Sequence, residues 1–139
     1  MNISISEYLT YDHEEILPLY RSVGWSNYYN HPEMLKKAYA NSLLILGAYT
    51  DDQLIGIIRA VGDGASVVFV QDLLVHPDFQ RKGIGTKLLL HLLERFPDVY
   101  QISLMTDDTP KTTAFYKSLG LIRLDEMGCC AFMLHRGMQ

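Results

Sequence analysis

Cysteine is scarce in this chain, and the two it has, Cys129 and Cys130, stand side by side with no third partner. That pattern excludes a disulfide framework and predicts a reducing, cytoplasmic setting. No apolar run reaches membrane-spanning length. The opening Met1-Asn2-Ile3-Ser4-Ile5-Ser6-Glu7 has no basic region followed by an apolar core, so no signal peptide is expected. Positive charge is in deficit as well, with 12 Lys and Arg against 16 Asp and Glu and a net charge of −4. A nucleic-acid partner would call for a basic surface. His13, His31, His91 and His135 are scattered without ligand spacing, and no Cys/His cluster, repeat or low-complexity linker is present. No metal is therefore expected. What the chain has in quantity is apolar surface, 48% of 139 residues, enough for one domain spanning 1–139 with a sizeable core.

The most informative stretch is Gln80-Arg81-Lys82-Gly83-Ile84-Gly85-Thr86. Before it runs Ser66 to Val75, an apolar strand pattern closed by His76-Pro77-Asp78-Phe79. After it comes a helical pattern to Phe96, with Leu88, Leu89, Leu92 and Leu93 on one face. A strand, a basic Gly-containing turn and a helix start together suit an anion. The first N–H groups of a helix have no intrahelical partner, and the helix dipole favours negative charge there. Gly83 and Gly85 let the main chain approach the anion, and Arg81 and Lys82 add charge. A dinucleotide fingerprint would need a third Gly where Leu88 stands, and a Walker loop would need its Lys after the Gly rather than before. An ordinary strand–helix connection is the plain alternative.

The remaining pattern gives strands at Ile3–Tyr8, Leu43–Thr50, Leu54–Val61, Ser66–Val75 and Tyr100–Met105, with closing strands near Leu121–Asp125 and Cys130–His135. Helices are predicted over Asp12–Val23, with a capping box from Asp12 to Glu15, from Pro32 to about Asn41, and from Pro110 to Leu119. Gly24 to Asn30 reads as a loop. Helices set between strand hairpins indicate a mixed α/β sheet.

The heptapeptide, read as Gln/Arg-x-x-Gly-x-Gly/Ala after its strand, resembles the acyl-CoA-binding signature of the GNAT superfamily of N-acetyltransferases. A second segment resembles the same family: Thr109-Pro110, then Ala114-Phe115-Tyr116-Lys117-Ser118-Leu119-Gly120-Leu121. The likeness is densest from about Leu54 to Leu121. It implies an α/β fold, a mostly antiparallel sheet with a central parallel pair, and acetyl-CoA as cosubstrate. It implies direct attack by a primary amine, free or on a protein, in a ternary complex, and it makes a homodimer an expectation. It places Leu73, Leu74 and Val75 beside the pantetheine arm, with an N–H at Leu74 polarising the acetyl carbonyl. Gln80 to Thr86, Thr109 and Phe115 become further cofactor contacts.

The chemistry needs a neutral amine and a proton for the departing thiolate. An alkyl amine of pKa ~10.4 is neutral in about one molecule in 2,500 at pH 7, a cost of roughly 4.6 kcal/mol. Asp72, set between Val70 and Leu73 in the apolar strand, is the carboxylate candidate for that deprotonation; a structural acid is the alternative. Many relatives carry Glu just before this Asp, and Gln71 here favours a water relay. Tyr116 is the candidate acid, with core packing beside Phe115 as its alternative. Thr109 stands where the family often has Asn.

Trp25, Tyr28 and Tyr29 suit either an acceptor wall or a cap on the core. Arg59, a charge within an apolar strand, is either an acceptor contact or half of an ion pair with Asp63 or Asp72. Arg59-Ala60-Val61-Gly62-Asp63, Asp72-Leu73-Leu74-Val75 and Phe79-Gln80 resemble the plastid and bacterial branch related to serotonin N-acetyltransferases. A CoA-binding regulatory module without chemistry is the competing function.

Overall fold

The first helix begins where the sequence marks it. In the computed structural model, which describes residues 2–136, the extended Asp12 accepts the Glu14 N–H at 2.9 Å and caps α1, His13–Ser22. The expected capping box does not close, because the Glu15 carboxylate takes the Tyr8 hydroxyl at 3.1 Å instead. The predicted loop after it contains one helical turn, α2, Ser26–Tyr29. Pro32 then opens α3, Pro32–Ala40, with its missing N–H at a position that has no intrahelical acceptor.

The chain divides into two compact units, Met1–Leu104 and Met105–Gln139. In the first, β1 (Ser4–Glu7), β2 (Leu44–Thr50), β3 (Gln53–Gly62), β4 (Val67–Val75) and β5 (Gln101–Leu104) form one sheet in that order. The first four pair antiparallel, and β5 runs parallel to β4 after the crossover helix α4, Ile84–Arg95. The parallel pair is present, and among the described residues β5 forms the sheet edge. Tyr8, Ile16, Leu19, Tyr20, Leu35, Tyr39, Ile45, Leu54, Ile57 and Leu74 make the core between the sheet and the helices α1 and α3. Helix α4 buries Ile84, Leu88, Leu89 and Leu92, each worth about 1.5–3 kcal/mol. It lies so near β3 that a Cβ on Gly56 would come 3.3 Å from Leu88 Cδ1 and 3.2 Å from the Leu74 carbonyl oxygen.

The second unit contains α5, Pro110–Ser118, and a 3-10 turn at Leu124–Met127. The closing strands expected near Leu121–Asp125 and Cys130–His135 are not formed among the described residues. Composition shows that a segment is able to pair. A strand exists only where a neighbouring ladder accepts its backbone groups.

Candidate active site

One extra residue in β4 organises the first unit's polar centre. Arg59 pairs with Asp72 and Ala60 with Val70, so Gln71 is a bulge without a cross-strand partner. Strict alternation would put Val70 and Asp72 on one face. The bulge instead turns Asp72 toward α1 and α3, while Val70 shares the opposite face with Ala60.

There Asp72 is 1% exposed and Arg59 4%. The Asp72 Oδ2 accepts the Arg59 Nε–H at 2.7 Å and the Tyr20 hydroxyl at 2.8 Å. The Tyr20 and Tyr39 hydroxyls are 2.8 Å apart, and Arg59 also donates to Ser42 Oγ at 3.2 Å. No described buried side-chain polar atom lacks a partner, which is the condition for charges to persist in a core. Burial alone would lower the Arg59 pKa, but the Asp72 charge and hydrogen bond carry it above the usual arginine value. Burial pushes the Tyr20 and Tyr39 phenols well above theirs. Of the two sequence alternatives for Arg59, the structure forms the ion pair, and Asp72 is its partner. Asp63 turns elsewhere: its carboxylate accepts the Ala65, Ser66 and Val67 N–H groups and holds the β3–β4 hairpin.

The bulge leaves Gln71 exposed, and its Nε2 donates to the Tyr28 hydroxyl at 3.0 Å. Tyr28 packs edge-on to Tyr20 with ring centroids 5.3 Å apart, and Trp25 does so at 5.9 Å. Trp25, Tyr28 and Tyr29 are all partly buried against the core. Their rings therefore cap the core while part of each stays accessible. The Gln71–Tyr28 contact was not foreseen; the sequence signal was Gln71 itself, a polar side chain inside an apolar strand.

The second feature is an open strand edge. β5 pairs with Val67 to Val70 only, whereas β3 follows β4 through to Val75. Gln71 to Val75 therefore has one side without a strand neighbour among the described residues. Leu73 and Val75 are partly exposed and Leu74 is buried. This edge leads into Gln80–Thr86. The Gln80 Nε2 donates back to the Val75 carbonyl at 2.9 Å, and Arg81 and Gly83 both adopt left-handed backbone, φ +64° and +76°. Gly83 then serves as N-cap of α4 with no side chain capping it, and a Cβ there would meet nothing within 4 Å. Lys87 N–H is the first of the helix to reach an intrahelical acceptor, Gly83 C=O at 3.0 Å. The Ile84, Gly85 and Thr86 N–H groups precede it, beside the exposed Arg81 and Lys82. That donor set, positive and sterically clear, fits a pyrophosphate.

In the second unit, Phe115 and Tyr116 pack edge-on with centroids 4.9 Å apart. Burial raises the Tyr116 pKa, and a Thr106 hydrogen bond works against the rise. Thr109 caps α5: its Oγ1 accepts the Thr112 N–H at 3.1 Å, and the Thr109 N–H reaches Thr112 Oγ1 to complete a capping box.

Comparison with known proteins gives these features a family. Residues 10–121 match the model of the acetyltransferase (GNAT) family. An uncharacterized ycf52-like N-acetyltransferase of Prochlorococcus marinus is 33% identical over 91% of this chain and 72% of its own length. The uncharacterized N-acetyltransferase ycf52 of Gracilaria tenuistipitata is also 33% identical, over 73% of this chain, but the chain spans only 57% of that protein. Among solved structures, a GNAT family acetyltransferase of Streptococcus pneumoniae is 40% identical and has a TM-score of 0.87, with 98% of this chain and all of that one covered. The PaiA N-acetyltransferase of Thermoplasma acidophilum, solved with coenzyme A, shares the fold at 21% identity, with a TM-score of 0.69 over 86% of this chain and 89% of that one. With a family match over residues 10–121 and a fold shared with a solved GNAT acetyltransferase at 40% identity, the chain belongs to the GNAT acetyltransferase family and is an acyltransferase.

Proposed function

We propose that the protein moves an acetyl group from acetyl-CoA to a primary amine by direct attack in a ternary complex, with both units forming one acetyltransferase domain. The observation that carries this reading is the open β4 edge at Gln71 to Val75 running into the uncapped start of α4. Pantetheine carries amide groups that would add to that edge as a strand does. The pyrophosphate would then meet the amides of Ile84, Gly85 and Thr86 with Arg81 and Lys82, while Gln80 holds the turn. Phe115 would cover the cofactor, and Thr109 would reach it only from its capping position.

The proton work falls to Tyr116 and to water held at Gln71 and Tyr28, with Asp72 as a positioning residue. The ammonium must lose one proton before the amine attacks the carbonyl carbon; as the C–S bond breaks, the nitrogen gives up a second proton and the leaving thiolate takes one up. Tyr116, whose raised pKa keeps its phenol protonated at neutral pH, is the donor to that thiolate. Asp72 is committed to Arg59 and Tyr20, so it acts through the network, holding the bulge in place rather than touching the amine. Water at Gln71 and Tyr28 would take the amine proton. The accessible parts of Trp25 and Tyr28 form the acceptor wall, where aromatic faces attract an ammonium or an aryl group. Arg59 is withdrawn from that wall by its ion pair.

The test is thiol release from acetyl-CoA across aryl-alkyl amines, polyamines, amino acids and peptide amines. Turnover confined to one class supports the proposal and identifies the acceptor. Tight CoA binding with no turnover on any amine would favour the binding module.

A further inference from the structure

The turn that leaves β4 hangs on one imidazole. Pro77–Phe79 forms a 3-10 turn between the end of β4 and Gln80–Thr86. Pro77 has no N–H to give, and the Phe79 N–H bonds to the His76 carbonyl at 2.9 Å. The Asp78 N–H bonds to His76 Nδ1 at 3.1 Å and to no other group among the described residues. His76 is itself tied to the sheet, donating its N–H to the Ile55 carbonyl of β3 at 2.8 Å. Its ring stands edge-on to Phe79 with centroids 5.9 Å apart. The turn closes onto Gln80, whose N–H reaches the Pro77 carbonyl at 3.3 Å and whose side chain reaches back to Val75. Immediately beyond it come the left-handed Arg81 and Gly83. Any loosening at Asp78 is therefore passed directly to the start of α4.

A backbone N–H bonds to Nδ1 only while that nitrogen keeps its lone pair, so the capping ring is neutral with its proton on Nε2. Protonation would set two donors face to face, Nδ1–H against the Asp78 N–H. The imidazolium then has carboxylates to turn to. Asp78 Oδ2 is 3.9 Å from Nδ1 on its own turn. His76 also lines a cavity of about 310 Å³ with Glu14 and Glu15 of α1 and Asp52 of the β2–β3 turn, and no Lys or Arg is among the lining residues. The side chain is 30% exposed, so protons from solvent reach it.

We propose that His76 is a positioning residue for the cofactor turn and makes acetyl-CoA binding sensitive to pH. Neutral, it caps Pro77–Phe79 and holds the Gln80–Thr86 amides in place. Protonated, it swings to the carboxylates and releases them, so affinity falls as pH falls. The inference rests on reading Gln80–Thr86 as the pyrophosphate site.

The experiment titrates acetyl-CoA calorimetrically, without amine, into wild type, His76→Asn and His76→Ala. It runs from about pH 8 to pH 5, the range in which an imidazole changes charge. An Asn side-chain oxygen accepts the N–H two residues on and does not titrate. Wild type should lose affinity about threefold or more over that range, the equivalent of one ordinary hydrogen bond. His76→Asn should match wild type at the alkaline end and show only the shallower slope of the ligand's own phosphate. His76→Ala, with no acceptor, should be weaker at every pH with that same shallow slope. In the free protein, amide NMR should show the Asp78 N–H titrating in wild type and not in His76→Asn. Equal slopes in wild type and His76→Asn, full affinity in His76→Ala, or a wild-type Asp78 amide that does not titrate overturns this inference alone. A wild type that binds no acetyl-CoA at any pH overturns the cofactor reading of the turn and the inference with it.

Discussion

Arg59 Nε sits 2.7 Å from Asp72 Oδ2 across neighbouring strands, with both side chains withdrawn from water. A β-bulge at Gln71 makes the contact possible, and Tyr20 supplies the carboxylate with a second donor. The pair has to be judged by what its loss would leave behind. Removing either member strands a charge in the core.

Asp72→Asn and Arg59→Met should each lower unfolding free energy by about 3–5 kcal/mol. The double variant Arg59→Met/Asp72→Leu should recover most of that loss, because no unpaired charge remains. Urea unfolding of the four proteins measures it. If Asp72→Asn keeps its stability and loses only turnover, Asp72 is a base and not half of a structural pair.

Gly83 holds left-handed backbone at the start of α4 in open space. A Val there fits sterically but pays about 1–2 kcal/mol for the left-handed conformation, and its branched side chain projects where the anion would lie. Gly83→Val should weaken acetyl-CoA binding at least tenfold by titration calorimetry. Unchanged affinity would remove the phosphate from this turn.

Tyr116→Phe should cut kcat at least tenfold, ~1.4 kcal/mol of barrier, while leaving the dissociation constant for CoA alone unaltered. The acid must be protonated, and burial raises its pKa. Any alkaline fall in wild-type kcat that reports this phenol therefore lies above the ordinary tyrosine range near pH ~10. A pH profile that is the same in the variant and falls below that range would assign the proton to another group.

Stability should fall at high pH. Burial raises the Tyr20 and Tyr39 pKa values in the folded state. Below the unfolded value near ~10 their contribution is fully present. Above it the unfolded chain releases protons that the folded chain keeps, so each buried phenol costs about 1.4 kcal/mol per pH unit until its folded pKa is passed. Tyr39→Phe should flatten that slope by one phenol's share in denaturant titrations between pH 9 and 11.

The sequence was most legible where one residue type does one local job. Asp12 capped its helix, Pro32 and Pro110 opened theirs, and Gly83 took the left-handed turn. The capping box at Glu15 failed because Tyr8, distant in the local pattern, competed for the carboxylate. Asp63 and Asp72 were equal candidates for Arg59 on paper. Asp63 was claimed by its own hairpin amides, a local contact, and Asp72 by cross-strand register, a remote one.

By itself the sequence determined the order of the five strands with the helices α1, α3, α4 and α5 among them, and it carried the two segments whose resemblance pointed to the acetyltransferase family, because each is written locally along the chain. Only the tertiary structure decided that Asp72 and Arg59 are buried together, that Gln71 is the bulged residue meeting Tyr28, and that residues 130–135 form no strand among the described residues. Pairing and burial depend on which segments meet in space. One inserted residue in β4 is enough to exchange the faces of every side chain beyond it.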